Sequence, residues 1–247
     1  MCNPEREMPT SQSDAESGPE TGLLVLGVDT CGPSGSVALA RLEGGAARIL
    51  GQTELAGRSY SATLVAAIGQ LLAGQGAKLA DVGAIVVVSG PGSFTGVRVG
   101  LSAVKGLAEP GQIGVLAVSR LAVLAAKAGV VSAALDAHRH EVFLKLPEPD
   151  GSTRELLAGV EELAMVALRP AKIAVCDEAA AALLGSAWIG TKLVRCDAPT
   201  AGDAIELCLA KIMARNFTDL ALLDGHYLRR SDAEIFGDPT TAKARTA

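Results

Sequence analysis

The sequence predicts an α/β protein in which the order βββαβα occurs twice, and three observations carry that reading. Apolar runs of strand length alternate with helical periods from Leu23 onward. Three strands joined by short turns open this region, and a second, fainter copy of the pattern begins at Val130. Three antiparallel strands followed by helix–strand alternation is the ribonuclease H-like order, unlike a Rossmann chain of strict alternation.

The elements follow in turn. Leu23-Leu24-Val25-Leu26-Gly27-Val28-Asp29 reads as a buried strand, Pro33-Ser34-Gly35 as a turn, and Ser36–Leu42 as a second strand. Gly44-Gly45 turns the chain into a third strand at 47–55. In 59–73 Tyr60, Leu64, Ile68, Leu71 and Leu72 fall on one helical face. A strand at 83–88 runs into Ser89-Gly90-Pro91-Gly92-Ser93, and a helix from Phe94 to Ala108 is expected to stop at Pro110 and Gly111. Strand 113–118 and helix 119–128 close this half. The second half reads as a hairpin (130–136 and 141–146), a strand at 151–157, helix 159–168, strand 171–176, helix 178–184, strand 189–195 and helix 202–215. The lobes are thus expected at 23–118 and 119–236, between an acidic, disordered tail at 1–22 and a loose end at 237–247.

Composition narrows the function. Of 247 residues, 49% are hydrophobic and 20% charged, which is globular composition. The net charge of −5 is concentrated in 1–22, where Glu5, Glu7, Asp14, Glu16 and Glu20 face only Arg6, leaving a nearly neutral body with no strong hold on phosphate backbones. No apolar run approaches the roughly 20 residues that span a bilayer. The start lacks the basic end and apolar stretch of a signal peptide, and Cys2, Cys31, Cys176, Cys196 and Cys208 form no Cys-x-x-Cys, so a reducing, cytoplasmic location is expected.

Ser89-Gly90-Pro91-Gly92-Ser93-Phe94-Thr95-Gly96 is the most informative segment. Its glycines allow a close approach of backbone to something, Ser93 is placed to cap the next helix, and free N–H groups there could receive an anion. It is neither a Walker A loop nor Gly-x-Gly-x-x-Gly. Asp29 and Thr30 at the end of the first strand, with Ser34 and Ser36 across the turn, stand where actin-like ATPases and sugar kinases cradle phosphates; a carboxylate there can also hold the water shell of Mg²⁺. Asp29, Thr30, Ser34, Gly92, Ser93 and Thr95 are therefore candidates for a vestigial phosphate site, although a strand end, a turn and a cap explain them equally. His138-Arg139-His140 would put two imidazoles on one side of a strand, without a third ligand for a metal. No catalytic set, metal site or cofactor is expected.

Gly90-Pro91-Gly92-Ser93-Phe94-Thr95-Gly96-Val97-Arg98-Val99-Gly100-Leu101-Ser102-Ala103-Val104-Lys105-Gly106-Leu107-Ala108 resembles the signature of the bacterial TsaB family. Val28-Asp29-Thr30 with Ser36–Leu39, Leu135–Phe143 and Tyr227–Glu234 are similar to that family's opening, second-lobe hairpin and ending, so the resemblance spans about 23–236. It implies two lobes of the actin/Hsp70/sugar-kinase superfamily and a part in placing threonylcarbamoyl on N6 of the adenosine beside the tRNA anticodon. It further implies a non-catalytic subunit that pairs with the transferase TsaD, is joined by the ATPase TsaE, meets tRNA only through the complex, and forms a homodimer when alone. Two departures stand out: Tyr60-Ser61 where the family has His-Ser, and Glu109-Pro110-Gly111 where relatives continue the helix.

The resemblance places docking on the first two helices, and side-chain size gives it residues. Ala62, Ala66, Gly69 and Ala73 share one face of helix 59–73, and Gly96, Gly100, Ala103 and Leu107 have the same spacing in helix 94–108. Such stripes let another helix pair approach closely; packing within the chain is the alternative. The competing function is a small-molecule kinase or ATPase using Asp29 and the 90–95 loop, which would need a second metal carboxylate and, commonly, a Gly-Gly before a helix in the second half. That half has none. A peptidase would lack both metal ligands and a nucleophile–base pair.

Overall fold

The computed structural model describes residues 22–229. The expected tails, except Gly22, and residues 230–236 of the expected second lobe lie outside the described residues.

The first half comprises β1 (Leu23–Asp29), β2 (Ser34–Glu43), β3 (Ala46–Ala56), α1 (Tyr60–Gly74), β4 (Val82–Val88), α2 (Phe94–Gly111), β5 (Gly114–Val118) and α3 (Arg120–Lys127). The second comprises β6 (Ala133–Asp136), β7 (Val142–Pro147), β8 (Thr153–Ala158), α4 (Val160–Met165), β9 (Lys172–Val175), α5 (Glu178–Ala187), β10 (Lys192–Arg195) and α6 (Ala201–Met213). Two five-stranded sheets result, ordered β3-β2-β1-β4-β5 and β10-β9-β6-β7-β8. Read from its β8 edge, the second repeats the first strand for strand. β1 pairs antiparallel with β2 and parallel with β4, and β6 does the same with β7 and β9. This is the actin-like α/β architecture that the element order predicts.

Local chemistry explains the elements. β1 lies inside its sheet with helices on both faces, so Leu24 to Val28 is a continuous apolar run, all of it buried. The edge strand β3 carries Arg48, Gln52 and Glu54 and is mostly exposed. Gly44 and Gly45, at φ +58° and +83°, make the β2–β3 reversal that a side chain would strain.

The halves are interlocked by an exchange of helices. Leu121, Leu124 and Ala125 of α3 pack on Ala133, Leu135 and Phe143 of the second sheet. Ala201, Ala204, Ile205 and Ile212 of α6 pack into the core of the first sheet. The first N–H of α6, on Ala201, donates to the buried Ser36 hydroxyl at 2.8 Å. On the opposite face α1 lies over β2 and β3, and α2 over β1, β4 and β5.

Two local expectations are corrected. α2 continues through Pro110 to Gly111 rather than ending at Ala108. A proline in the last turn forfeits only the bond its absent N–H would make, and the helix closes beyond it. Gln112, at φ +50°, donates to Glu109 O at 3.3 Å, and Ile113 N–H donates to Ala108 O at 3.0 Å. His138, Arg139 and His140 are not on a strand: all three have positive φ (+59°, +57°, +61°) and form the β6–β7 reversal. The alternation of strand faces therefore does not apply to the two imidazoles. Asp136 holds this turn by accepting the His138 N–H at 2.8 Å.

Candidate functional site

Two features converge at the end of β1: a sealed carboxylate beneath the 89–96 loop and an open face on α1 and α2. Asp29 is 1% exposed. Its Oδ1 accepts the Cys31 N–H at 2.8 Å, and its Oδ2 lies 3.5 Å from Nε of Arg120, the first residue of α3. Arg120 is itself buried, and Asp29 Oδ2 and Arg120 Nε have no hydrogen-bond partner. Burial works against the guanidinium, but Asp29 and the neighbouring thiols outweigh it and hold Arg120 above its ordinary range. Burial, and then the Asp29 charge, push the Cys31 thiol well above its usual value. The same two causes, in the same order, raise Tyr60 to about 12.

The loop over Asp29 is closed on its own chain. Ser93 N–H donates to Cys31 O at 2.8 Å, Gly96 N–H to the Ser93 hydroxyl at 3.3 Å, and Val97 N–H to Ser93 O at 2.9 Å. Thr30 Oγ1 donates to Gly96 O at 2.7 Å. The close approach that the glycines permit is to the β1–β2 turn: a Cβ on Gly92 would lie 2.2 Å from Cys31 O, and one on Gly96 2.0 Å from Thr30 O. Of the candidate phosphate residues, Asp29 and Thr30 are buried and engaged, whereas Ser34, Gly92, Ser93 and Thr95 are exposed around them. Among the described residues no group of three or more His, Cys, Asp or Glu could hold a metal ion.

The two small-residue stripes have different fates. Ala62, Ala66, Gly69 and Ala73 on α1 are all exposed, and Ala103 and Leu107 on α2 are half-buried. Gly96 and Gly100 are buried, which removes them from the expected docking surface. A Cβ on Gly100 would meet Thr30 Oγ1 at 2.3 Å, so these two glycines are internal packing for the turn after β1. Beside the stripes, an open groove of about 520 Å³ runs between α1 and α2, lined among others by Val65, Phe94, Arg98, Val99 and Ala103. Val65 is 60% exposed. Tyr60, the departure from the family pattern, is turned inward and donates its hydroxyl to Gly32 O at 2.9 Å.

Sequence reasoning missed three partners. Nothing in the local sequence around Arg120, at the start of an apolar helix, signals that Asp29 lies opposite. The Phe94 ring lies 5.0 Å from the Tyr227 ring, tilted at 47°, and Arg98 Cζ lies over the Phe94 ring, 3.8 Å from its centroid. The Ser119 hydroxyl donates to Glu155 at 2.7 Å, and His226 Nε2 lies 2.9 Å from Glu155 Oε2. With Glu155 between hydroxyl and imidazole, this is a structural junction, not a nucleophile–base pair.

Comparison with known proteins fits this geometry. A family model described as TsaD, tRNA N6-adenosine threonylcarbamoyltransferase, matches residues 49–217. The chain is 37% identical over 127 residues to the tRNA threonylcarbamoyladenosine biosynthesis protein TsaB of Haemophilus influenzae, covering 49% of this chain and 52% of the relative. It is 33% identical to Escherichia coli TsaB over 127 residues, 49% of this chain and 53% of that protein. The chain thus spans about half the length of the curated relatives it matches. The solved structure of YeaZ from Pseudomonas aeruginosa superposes with a TM-score of 0.68 at 28% identity, covering 83% of this chain and all of that one. No helix among the described residues is long and apolar enough to cross a membrane. With more than half its length inside the family match and TsaB proteins as its curated relatives, the chain belongs to the TsaD-type threonylcarbamoyltransferase family, in its TsaB branch.

Proposed function

We propose that this chain is the non-catalytic, partner-binding subunit of a cytoplasmic complex that forms N6-threonylcarbamoyladenosine in tRNA beside the anticodon. Its lobes, residues 23–118 and 119–236, dock a TsaD-type transferase through the exposed face of α1 and α2; a TsaE-type ATPase joins the pair, and tRNA is met through the assembly. A second copy of the chain occupies the same face when the partner is absent. The observation that carries this reading is the Asp29–Arg120 pair. The carboxylate that a kinase or ATPase would turn toward Mg²⁺ is buried against a cation of its own chain, and the N–H of Ser93 is spent on the turn beneath while those of Gly96 and Val97 are spent on Ser93 itself. The names of the relatives supply the pathway, and the apolar groove beside exposed Ala62, Ala66 and Gly69 supplies a surface that a partner helix pair fits.

Co-purification with the same organism's TsaD-type protein tests this. Ala66→Arg and Ala103→Arg, made separately, are expected to stay folded by circular dichroism and to abolish association. Unchanged affinity in both variants would place the interface elsewhere. Titration of ATP into the pure chain is expected to show no Mg²⁺-dependent micromolar binding; such binding would restore the kinase reading.

A further inference from the structure

Outside the β1 region, the fold brings together, among the described residues, two thiols from distant sequence positions, Cys176 and Cys196. β9 and β10 are parallel and in register from Lys172↔Lys192 to Val175↔Arg195. One step further, Cys196 N–H donates to Val175 O at 3.1 Å, the bond that continues the ladder and sets Cys196 beside Cys176. Side chains alternate along a strand, and Ala174 faces α3, so Cys176, two residues on, shares its face. Val194 pairs with Ala174, which gives Cys196 the same side. Both cysteines pack on the apolar cluster of Leu121, Leu124 and Ala133, and both are half-buried rather than enclosed.

We propose that Cys176 and Cys196 are a redox modification site, joined as a reversible intramolecular disulfide when the chain meets hydrogen peroxide. Neighbouring in-register Cα atoms lie about 4.8 Å apart, inside the window of roughly 4.4–6.8 Å that a disulfide spans. Each strand ends one residue earlier, and Cys196 keeps one ladder bond back to Val175 O. Neither Cys31 nor Cys208 has this setting; both are buried in the core of the first sheet. Burial raises both thiols, Cys176 to about 11; Asp177 adds to the rise at Cys176 and Asp197 and Asp203 add to it at Cys196, while the nearby Lys127 ammonium, 3.1 Å from Ala198 O, opposes it at both. Cys196 follows the edge strand β10 and Cys176 the inner strand β9, so Cys196 meets the peroxide first. Its thiolate attacks one peroxide oxygen, the O–O bond breaks, and the departing hydroxide takes a proton to leave as water, giving a sulfenic acid. The Cys176 sulfur then attacks the sulfenic sulfur, forming the S–S bond and releasing a second water. Two thiols are oxidised, one peroxide is reduced, and atoms balance. The ring so closed encloses α5 and ties down the edge strand β10.

The test uses the whole reduced chain treated with hydrogen peroxide. The expected result is a loss of about 2 Da at monomer mass, reversed by dithiothreitol. Non-reducing tryptic mapping should join the peptides 173–192 and 196–211; the latter also carries Cys208, so fragment ions must place the link at Cys196. Cys176→Ser and Cys196→Ser should each abolish the mass loss, and Cys2→Ser should retain it. An unchanged mass, a gain of oxygen without a crosslink, or a link through Cys2, Cys31 or Cys208 overturns the proposal. Mapping of the unmutated chain decides it even if a serine variant fails to fold.

Discussion

The first strands of the two sheets end in the same chemistry and opposite surroundings. Asp29 closes β1 and accepts the N–H two residues on at 2.8 Å; Asp136 closes β6 and does the same at 2.8 Å. In the first half, Arg120 seals the carboxylate, and the Asp29 side chain is 1% exposed. In the second, the Asp136 side chain is 26% exposed and its Oδ2 faces a solvated His138 at 2.8 Å. The turn is a local device that any strand-end aspartate can make. What makes one of them a buried ion pair is the start of α3, which comes from outside that turn. The same contrast separates the helices above: α2 spends Gly96 and Gly100 on Thr30, whereas α1 leaves its stripe open.

The largest expected effect breaks this comparison at Asp29. Asp29→Ala leaves the Arg120 guanidinium buried without a counter-charge and should cost about 3–5 kcal/mol in urea unfolding. Asp29→Ala combined with Arg120→Met should recover most of that loss, because the penalty belongs to the orphaned charge; no recovery would mean that Asp29 acts only through the turn. Asp136→Ala should cost under about 1 kcal/mol, since water replaces what it loses.

Next come the glycines. Gly96→Ala drives a methyl into the Thr30 carbonyl, a backbone atom that cannot swing aside, and should destabilise by about 1–3 kcal/mol. Gly69→Ala meets nothing within 4 Å and should stabilise the free chain by up to about 1 kcal/mol. Equal effects at the two positions would erase the distinction between sealed and open stripes.

A separate effect lies in alkali. Tyr60 is raised from 10.0 to about 12 by burial and by Asp29, so the folded chain keeps this proton where the unfolded chain sheds it. Its contribution is complete below pH 10 and disappears as pH climbs to about 12. Cys208, raised by burial from 9.0 to about 11, adds a similar decline between those values. Denaturation midpoints followed from pH 8 to 12 should therefore fall, and Tyr60→Phe should flatten the upper part of the fall. An unchanged slope would mean that Tyr60 titrates alike in both states.

The sequence by itself determined the element order, because apolar period and turn residues are local: a continuous apolar run of strand length bounded by turn residues reads as β1, and Gly44-Gly45 reads as a reversal of the chain. It also singled out the 89–96 loop by its glycines, and the resemblance on that loop led to the family. Three local features escaped it. Pro110 stands where the helix can absorb it, the 138–140 turn needs no glycine, and Gly96 and Gly100 look identical in spacing to the exposed Ala66 and Gly69. The tertiary structure alone decided that α3 and α6 cross to each other's sheets, that Arg120 meets Asp29, and that Cys176 stands beside Cys196. Those pairings join residues 91 and 20 positions apart, and no periodicity within one segment records which distant segment will lie against it. Period reveals which face of an element is apolar; only the packed molecule reveals what that face, or a charge on it, will touch.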